Sequence, residues 1–361
     1  MKVTIKKKNL QEAASKASKI ITKSILPIAQ CMHMEVKDGK ITFSAFSNDM
    51  TIYTSCEDAV SDEEFECVFV ADTFMRFLSK VKSENIDMTL DKEKSAEILR
   101  LKGGQAKMKL QCTAVKQWPK KKEFEEPTFS QETDFLFPAI AQCKHALSQN
   151  EGDPLMSSFC ISKKDQDWKI TALDGKRVSI RGANFDIPDV DILLNGANLI
   201  KLHSIFSSSV RLEMKGEEVR ISDEHTQVYL RTVYGKYFQM RSIINSPTPL
   251  YFKTKTEELQ DALDLVNGLS VSDEKRIILT IENDTLLIEA NDIIGNELKC
   301  NVAIETNCSK KFVAGMNPNF LLDAIKSIEQ EEVQIDMQDQ YHPFLIRGES
   351  FLEVLMPIKI S

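Results

Sequence analysis

The stretch YFKTKTEELQDALDLVNGL, residues 251–269, decides the fold because its pattern returns twice elsewhere in the chain. It opens with alternating polar and apolar residues, which is typical of a short strand, and continues with apolar residues at helical spacing. The residues that share one face of this helix are Leu259, Ala262, Leu263 and Val266. The stretch therefore predicts a strand followed by an amphipathic helix.

The same pair of elements is predicted for VTIKKKNLQEAASKASKI from Val3 and for FLFPAIAQCKHALSQ from Phe135. In all three places, two strands around a polar turn, a second helix and a closing strand follow. Ile86 and Val210, which begin the first two closing strands, lie 124 positions apart, and Val333 begins the third one 123 positions further on. Such regular spacing indicates an internal repeat.

The repeat predicts an α+β fold of three domains, each with two helices against antiparallel sheets. We place the domains at residues 1–127, 128–248 and 249–361, with linkers at Lys116–Thr133 and Ile244–Pro249. The expected N-caps of the second helices are Asp72, Asn195 and Asn317.

Repeated sheets leave open strand edges, which invite aggregation unless they are covered. Head-to-tail pairing covers them and closes a ring when the rotation per contact divides a full turn. Two chains of three domains would form a dimeric ring with six-fold pseudosymmetry. A monomeric, three-lobed protein is the alternative.

The composition is that of a globular protein, with 42% hydrophobic and 28% charged residues among 361. A formal charge of -8 argues against a surface that grips nucleic acid everywhere, although it allows a local basic face. Eight cysteines without C-x-x-C spacing indicate packed, reduced thiols rather than a metal or cofactor site. With no apolar leader and no apolar stretch of membrane-spanning length, we expect a cytoplasmic protein without membrane contact.

Two motifs carry a family resemblance: Asp174-Gly175-Lys176-Arg177 resembles a T-D-G-H-R-L segment, and Met356-Pro357-Ile358-Lys359-Ile360 resembles an M-P-M-R-L tail. With MKVTI at the start and LPIA from Leu26, they make the whole chain similar to the bacterial DNA polymerase III beta subunit, the beta sliding clamp. The resemblance implies a head-to-tail homodimeric ring with helices lining the hole. It implies a non-catalytic processivity factor that encircles duplex DNA regardless of sequence. Short peptide motifs of polymerase subunits, the clamp loader and repair proteins would bind it.

The second copy of the repeat differs from the others in its turn, which reads LDGKRV where the sister turns read SNDMT and ANDII. The adjacent cations indicate a special site, although an ordinary solvated hairpin is the alternative. We expect the apolar VLMPI segment to dock as an edge strand. By the resemblance, a peptide-binding groove is formed by Met156, Leu173, Gly175, Lys176, Arg177, Val178, Phe238, Ile243, Phe320, Val354, Met356, Pro357 and Ile358, with Arg177 fixing the direction of the peptide. Ordinary core packing is the alternative for each of them.

The predicted DNA contacts lie on one basic surface. Lys23, Lys80, Lys82 and Lys201 are placed there because they lie on expected inner helices, and the resemblance also marks Lys23 and Asn150 as DNA contacts. A solvated helix face is the alternative. The resemblance also predicts a dimer interface in which Met108 and Leu110 of one chain meet the region of Leu269 of the partner.

Two other function classes are alternatives to this interpretation. The sequence has no G-x-x-x-x-G-K-[ST] loop, H-E-x-x-H helix or G-x-S-x-G elbow, and its five histidines have no ligand spacing. A metal-dependent nuclease built from dispersed carboxylates is one alternative to the clamp. A monomeric repeat scaffold for protein interactions is the other.

Overall fold

The computed structural model describes residues 1–93, 96–150, 152–165, 167–182, 190–207, 209–269, 276–292 and 294–360. The α-helices within these ranges are α1 (Lys7–Ser18), α2 (Ala71–Lys80), α3 (Leu136–Cys143), α4 (Gly196–His203), α5 (Arg241–Ile244), α6 (Thr256–Asn267) and α7 (Pro318–Lys326). The strands of the first half are β1 (Lys2–Lys6), β2 (Cys31–Lys37), β3 (Lys40–Phe46), β4 (Met50–Cys56), β5 (Val60–Ser61), β6 (Phe65–Val70), β7 (Asn85–Glu93), β8 (Ala96–Gly103), β9 (Ala106–Thr113), β10 (Phe129–Thr133), β11 (Ser158–Lys164), β12 (Asp167–Leu173) and β13 (Arg177–Arg181). Those of the second half are β14 (Val190–Asn195), β15 (Val210–Lys215), β16 (Glu218–Ser222), β17 (Thr226–Arg231), β18 (Leu250–Lys255), β19 (Ile277–Glu282), β20 (Thr285–Asn291), β21 (Glu297–Ala303), β22 (Glu305–Thr306), β23 (Phe312–Met316), β24 (Glu332–Met337), β25 (Phe344–Arg347) and β26 (Phe351–Leu355).

All three copies of the repeat have the predicted order of strand, helix, hairpin, helix and strand. The first copy uses β1, α1, β3, β4, α2 and β7, and the second uses β10, α3, β12, β13, α4 and β15. The third uses β18, α6, β20, β21, α7 and β24. The α+β repeat is therefore confirmed, whereas the three domain boundaries stay a prediction.

By its contacts the chain divides into two compact units, of which the first comprises Met1–Asp134 and Lys201–Thr232. Its sheet has the strand order β10-β15-β16-β17-β4-β3-β2-β6-β9-β8-β7-β1-β5. Strand β17 pairs with β4, so strands of the second copy extend the sheet of the first. Phe74 of α2 packs on Phe69 with ring centroids 4.7 Å apart and anchors the helix in the core.

The second unit comprises Phe135–Ile200 and Val233–Ser361. One sheet has the order β14-β11-β12-β13-β26-β25-β24-β18-β22, and another has the order β21-β20-β19-β23. The four α6 residues that the sequence placed on one face are all buried against the third copy's core, which confirms the helical period. In the first sheet, β13 of the second copy lies beside β26 of the third.

Two of the three predicted N-caps are confirmed. Asn317 Oδ1 accepts hydrogen bonds from the backbone nitrogens of Asn319 (2.9 Å) and Phe320 (3.3 Å), and Asn195 Oδ1 accepts one from Asn198 N (3.1 Å). The prediction for Asp72 is wrong because α2 begins at Ala71 and its N-cap is Val70, two residues before the predicted cap. Asp72 lies in the first turn, where a carboxylate interacts favourably with the positive end of the helix dipole.

Both linker predictions need correction. The supposed linker Lys116–Thr133 ends in a strand, because the alternating residues of β10 pair with β15, and Ile244 of the other linker ends α5. The expectation of an edge strand for VLMPI is also wrong, since β26 lies between β13 and β25 inside the sheet. Its five residues are all buried, which is the burial of a central strand. None of the helices in the described ranges is long and apolar enough to cross a membrane.

Candidate peptide-binding site

The β12–β13 turn is built by an aspartate and a glycine. Asp174 Oδ1 accepts hydrogen bonds from the backbone nitrogens of Lys176 (2.9 Å) and Arg177 (3.0 Å). Gly175 has φ +83°, a left-handed conformation that costs other residues about 1–2 kcal/mol. The motif thus fixes the turn locally and leaves Lys176 exposed to solvent.

Arg177 is held in place by two carboxylates and an aromatic ring. Its Nε donates to Asp174 Oδ2 (3.0 Å) and its Nη1 to Asp323 Oδ2 of α7 (2.7 Å), while the guanidinium lies 4.3 Å from the ring centroid of Phe320. The side chain is only 11% exposed. Because these partners already orient the guanidinium, an incoming group would meet it in a preset direction.

The Met356–Ile360 segment is hydrogen-bonded to the β12–β13 turn and to β23. Val354 pairs with Val178, and Met356 N donates to Lys176 O (2.9 Å) just beyond the end of β26. Two residues later, Ile358 N donates to Gly315 O of β23 (2.8 Å). These bonds hold the segment beside the β12–β13 turn.

Five of the thirteen predicted groove residues come together in one apolar cluster. Leu173, Val178 and Val354 are buried in it, and Met156 and Ile243 pack against it as half-buried side chains. A Cβ atom at Gly175 would lie 3.7 Å from Met156 Sδ, which places the turn beside the same cluster. An apolar base with a flexible methionine at its edge can accept apolar anchors of varied shape.

The other predicted residues surround this cluster less directly. Phe320 packs against the third copy's core and reaches the turn through Arg177. Phe238 is 38% exposed, with its ring 5.7 Å from that of Tyr237, and Met356 is 39% exposed. Pro357 and Ile358 are half-buried, and Ile358 forms a β-bridge with Gly315 of β23. Exposed apolar groups therefore adjoin a buried apolar base.

Sequence reasoning missed three residues that pack on the cluster, namely Tyr237, Met240 and Ile244. The Tyr237 hydroxyl donates to Ser158 O (3.3 Å), and burial raises the pKa of this tyrosine above its ordinary range. Met240 and Ile244 are four residues apart, with Ile243 between them, which is the spacing of one helical face. That periodicity was the available signal, and α5 (Arg241–Ile244) is the helix that produces it.

A buried ionic network holds together the strands beneath the groove. Glu353 Oε1 accepts from Arg181 Nη1 (2.7 Å) and Ser179 Oγ (2.7 Å), and Arg181 Nη2 donates to Ser327 Oγ at the end of α7 (2.8 Å). His145 Nε2 lies 3.2 Å from Glu353 Oε2. Buried charges are tolerated when they are paired and hydrogen-bonded, so this network fixes the positions of β13, β26 and α7.

The predicted DNA-binding residues are all exposed. Lys80 ends α2, Lys82 follows it, Lys201 lies on α4, and Lys23 lies in the segment after α1. Asn150 uses its Oδ1 to accept a hydrogen bond from Gly152 N (3.0 Å). Lys19 Nζ donates to Ser204 O, and burial together with the nearby Lys16 lowers the pKa of Lys19.

The predicted interface residues differ in burial. Met108 and Leu110 lie on β9, where Met108 is half-buried but Leu110 is only 5% exposed and pairs with Leu99. Leu269 follows α6 and packs partly against the third copy's core. Leu110 is therefore a core residue of its own unit, and Met108 is the better probe of an interface.

All eight cysteines are free, and five of them are buried. Burial raises the pKa of Cys56, Cys143 and Cys160 to about 12, which makes them poor nucleophiles and confirms the expectation of packed thiols. Among the described residues, no group of three or more His, Cys, Asp or Glu side chains could hold a metal ion.

Two models of one protein family match the chain. Residues 1–122 match the N-terminal domain of the DNA polymerase III beta subunit, and residues 248–359 match its C-terminal domain. Among curated proteins, the beta sliding clamp of Bacillus subtilis is 22% identical over 99% of this chain and its own full length. That of Helicobacter pylori is 23% identical over 96% of this chain and 94% of its own.

Solved structures show the same fold over the whole length. The DNA polymerase III subunit beta from Pseudomonas aeruginosa superimposes with a TM-score of 0.92 at 17% identity, covering 100% of both chains. The DNA polymerase sliding clamp from Bacillus subtilis does so with a TM-score of 0.91 at 20% identity, again over 100% of both chains. With both family models matched in their proper order along the sequence, the chain belongs to the DNA polymerase III beta subunit family.

Proposed function

We propose that this chain is a DNA sliding clamp, a non-catalytic homodimeric ring that encircles duplex DNA irrespective of sequence. The ring tethers polymerase subunits, the clamp loader and repair proteins through short peptides. The observation that carries the proposal is the match over nearly the full chain to relatives named beta sliding clamp. The same match favours the clamp over a monomeric scaffold or a metal-dependent nuclease.

Two open strand edges support ring closure. Within the described residues, Ala106–Gln111 of β9 pairs only with β8, and β21 pairs only with β20. Open edges are liabilities unless another strand covers them, and head-to-tail pairing of two copies would cover both. The edge of β9 carries exposed Lys107 and Lys109, and β21 carries exposed Glu297 together with exposed Lys299.

The candidate groove supports tethering. An extended peptide would place apolar side chains over the Leu173–Val178–Val354 base and contact the exposed Phe238 and Met356. Such a site favours exchange of partners over tight binding. The groove is mostly shallow, and its methionine side chains adapt to peptides of different shapes. Two sites in one ring would increase the avidity for bivalent partners.

Contact with DNA by exposed lysines suits sliding. Lys23, Lys80, Lys82 and Lys201 can attract phosphates without reading bases, and Asn150 can donate a neutral hydrogen bond. Helix α6 carries exposed acidic side chains, which limits the attraction at that part of the ring. We place the ring in the cytoplasm, where the free cysteines would stay reduced.

The test is retention on circular against linearised DNA after loading by a clamp loader. A ring that encloses DNA stays on the circle and slides off the linear ends. Equal loss from both would contradict enclosure. Cleavage of DNA by this chain that requires a divalent metal would instead support the nuclease. The control is the loader preparation without this chain.

The mass in solution is the second test. Sedimentation should give a species near twice 40.9 kDa, and a strict monomer would support the scaffold. Met108→Glu should raise the monomer fraction because it charges the proposed interface without entering the core as deeply as Leu110 does. Met356→Glu, on the groove, is the matched control and should leave the mass unchanged.

A further inference from the structure

The solvent-facing side of strands β1, β7, β8 and β9 is strongly basic. Residues paired across an antiparallel sheet point to the same face. The register places Lys2, Thr89, Arg100 and Lys109 in one row, and Thr4, Asp87, Lys102 and Lys107 in the next. Five cations therefore share one face with Asp87, and we call Lys2, Arg100, Lys102, Lys107 and Lys109 the basic sheet face.

The β8–β9 hairpin opposes like charges directly. Lys102 faces Lys107, and Arg100 faces Lys109. Directly opposed like charges destabilise an antiparallel pair, whereas the neighbouring β7–β8 hairpin pairs Asp87 with Lys102. Violations of a local rule concentrate where a protein binds something, so the hairpin indicates an anionic ligand.

The nearby carboxylates neutralise only part of this face. Asp91 Oδ2 accepts from Arg100 Nε (2.5 Å), and Asp87 Oδ1 accepts from the Thr4 hydroxyl (2.7 Å). In the part of the chain that the structure describes, Lys102 and Lys107 form no ion pair, and both are exposed. The face is a local excess of positive charge on a chain whose formal charge is -8.

The surroundings indicate which anion fits. An open depression of about 590 Å³ lies on this face, and its described lining consists of lysines, an arginine, Asp87, Thr89, Leu101 and Met108. Protein partners are usually anchored by aromatic side chains, and single-stranded nucleic acid stacks its bases on them. The lining contains no aromatic residue among those described. Lysine, arginine and threonine are the side chains that contact duplex phosphates.

We propose that the basic sheet face is a second contact for duplex DNA and binds the phosphate backbone of a segment that the chain does not enclose. This contact differs from the lysines of the helices, and it goes beyond the proposed clamp function because it requires no ring. It would attract DNA electrostatically and without sequence preference, and its affinity would fall with salt.

The experiment measures fluorescence anisotropy of a linear duplex of about 30 base pairs with the full-length chain, without a clamp loader, over a range of salt. Lys2→Gln/Lys102→Gln removes two cations away from the open edge of β9. We expect affinity at ~0.1 M salt to fall by about tenfold and the log–log salt slope to decrease by about two. Lys37→Gln/Lys215→Gln removes the same charge from other strands of the same unit and should behave as the parent.

A second variant separates a binding role from a structural one. Lys107→Glu/Lys109→Glu converts both like-charge pairs into opposite-charge pairs. It should weaken duplex binding while raising the Tm by about 1–2 °C. Its mass must also be checked, because these residues lie at the open edge of β9.

The proposal is overturned if Lys2→Gln/Lys102→Gln binds the duplex as tightly as the parent with the same salt slope. A competing polyglutamate that binds the parent but not this variant, with duplex affinity unchanged, would instead assign the face to an acidic protein segment. Retention on circular DNA should remain in the variant. Loss of duplex affinity with retention intact would support the second contact, and loss of retention in the parent itself would count against the clamp alone.

Discussion

The β12–β13 hairpin of the second copy and the β20–β21 hairpin of the third are built by the same local device but have different neighbours. In the first, Asp174 Oδ1 accepts from two backbone nitrogens of the turn. In the other, Asp292 Oδ1 accepts from Ile294 N (3.0 Å) and Asn296 N (2.8 Å). Each turn contains a glycine with positive φ, at Gly175 and Gly295. The turn chemistry alone therefore does not make a site.

The two hairpins differ at the outer edge of their second strand, which is β13 in one and β21 in the other. Strand β13 is paired on its far side by β26, whose continuation lies beside the turn, and α7 supplies Asp323 to Arg177. Strand β21 is the last strand of its sheet in the described structure. A repeated hairpin thus becomes a candidate groove in one place and an open edge in the other. Distant segments that pack against it decide which.

Removing the continuation of β26, which lies beside the β12–β13 turn, should have the largest effect. Deleting Met356 to Ser361 takes away the segment that Met356 N fastens to Lys176 O, while β26 itself remains. We expect binding of a polymerase-derived peptide to be abolished and the dimer to stay assembled. Fluorescence polarisation with a labelled peptide measures the first, and sedimentation the second.

The control for this deletion is the shorter truncation of Lys359 to Ser361. It keeps Met356 and the Ile358–Gly315 bond, so peptide affinity should be largely preserved. Unchanged affinity after the full deletion would refute the assignment of the groove.

The next largest difference is expected between the stability contributions of two ion pairs. One is buried and joins β13 to β26, and the other is exposed within the β20–β21 hairpin. Glu353 is fully buried against Arg181, whereas Glu289 pairs with Lys299 across β20 and β21 (2.9 Å) with Lys299 55% exposed. Glu353→Gln leaves a buried guanidinium without its carboxylate and should lower the free energy of unfolding by about 3 kcal/mol. Glu289→Gln should lower it by less than about 1 kcal/mol. Urea denaturation of both variants measures the contrast, and equal losses would contradict it.

The glycines of the turns permit a comparison of strain with function. Alanine at Gly175 or Gly295 meets no close atom, since the nearest at Gly175 is Met156 Sδ at 3.7 Å and nothing lies within 4 Å at Gly295. Each substitution should therefore lower the free energy of unfolding by about 1 kcal/mol through backbone strain alone. Peptide affinity should fall only for Gly175→Ala. A loss in both variants would mean that the effect is global.

The sequence was sufficient for everything set by local periodicity. The four inward residues of α6, the three hairpins and the Asn195 and Asn317 caps were predicted because helical spacing, alternation and capping chemistry act over a few residues. The prediction for Asp72 failed because the helix starts two residues early, which is within the usual uncertainty of helix ends.

Pairing between distant segments was beyond the sequence. Nothing local in Phe351–Leu355 distinguishes a central strand from an edge strand, and the Arg181–Glu353 pair joins residues 172 positions apart. The interface role of Leu110 stays a prediction, and its burial within its own unit was not visible in the sequence. The resemblance supplied the groove residues, and the structure supplied their common base and the partners of Arg177.

The smallest expected effect concerns the pH dependence of the β20–β21 turn. Desolvation opposes ionisation of Asp292, but hydrogen bonds from the main chain and side chain of Asn296 and from Ile294 and Gly295 outweigh it and lower the pKa of this carboxyl. Because the folded pKa lies below the unfolded value of about 3.9, the stabilisation is present above that pH and is lost as pH falls through the folded pKa. A carboxyl-carbon NMR titration should show the lowered pKa, and Asn296→Ala should raise it toward the ordinary value. An unchanged pKa of Asp292 in that variant would mean that the Asn296 side chain does not sustain the turn. The main-chain hydrogen bonds to Asp292 would then be sufficient, as they are at Asp174.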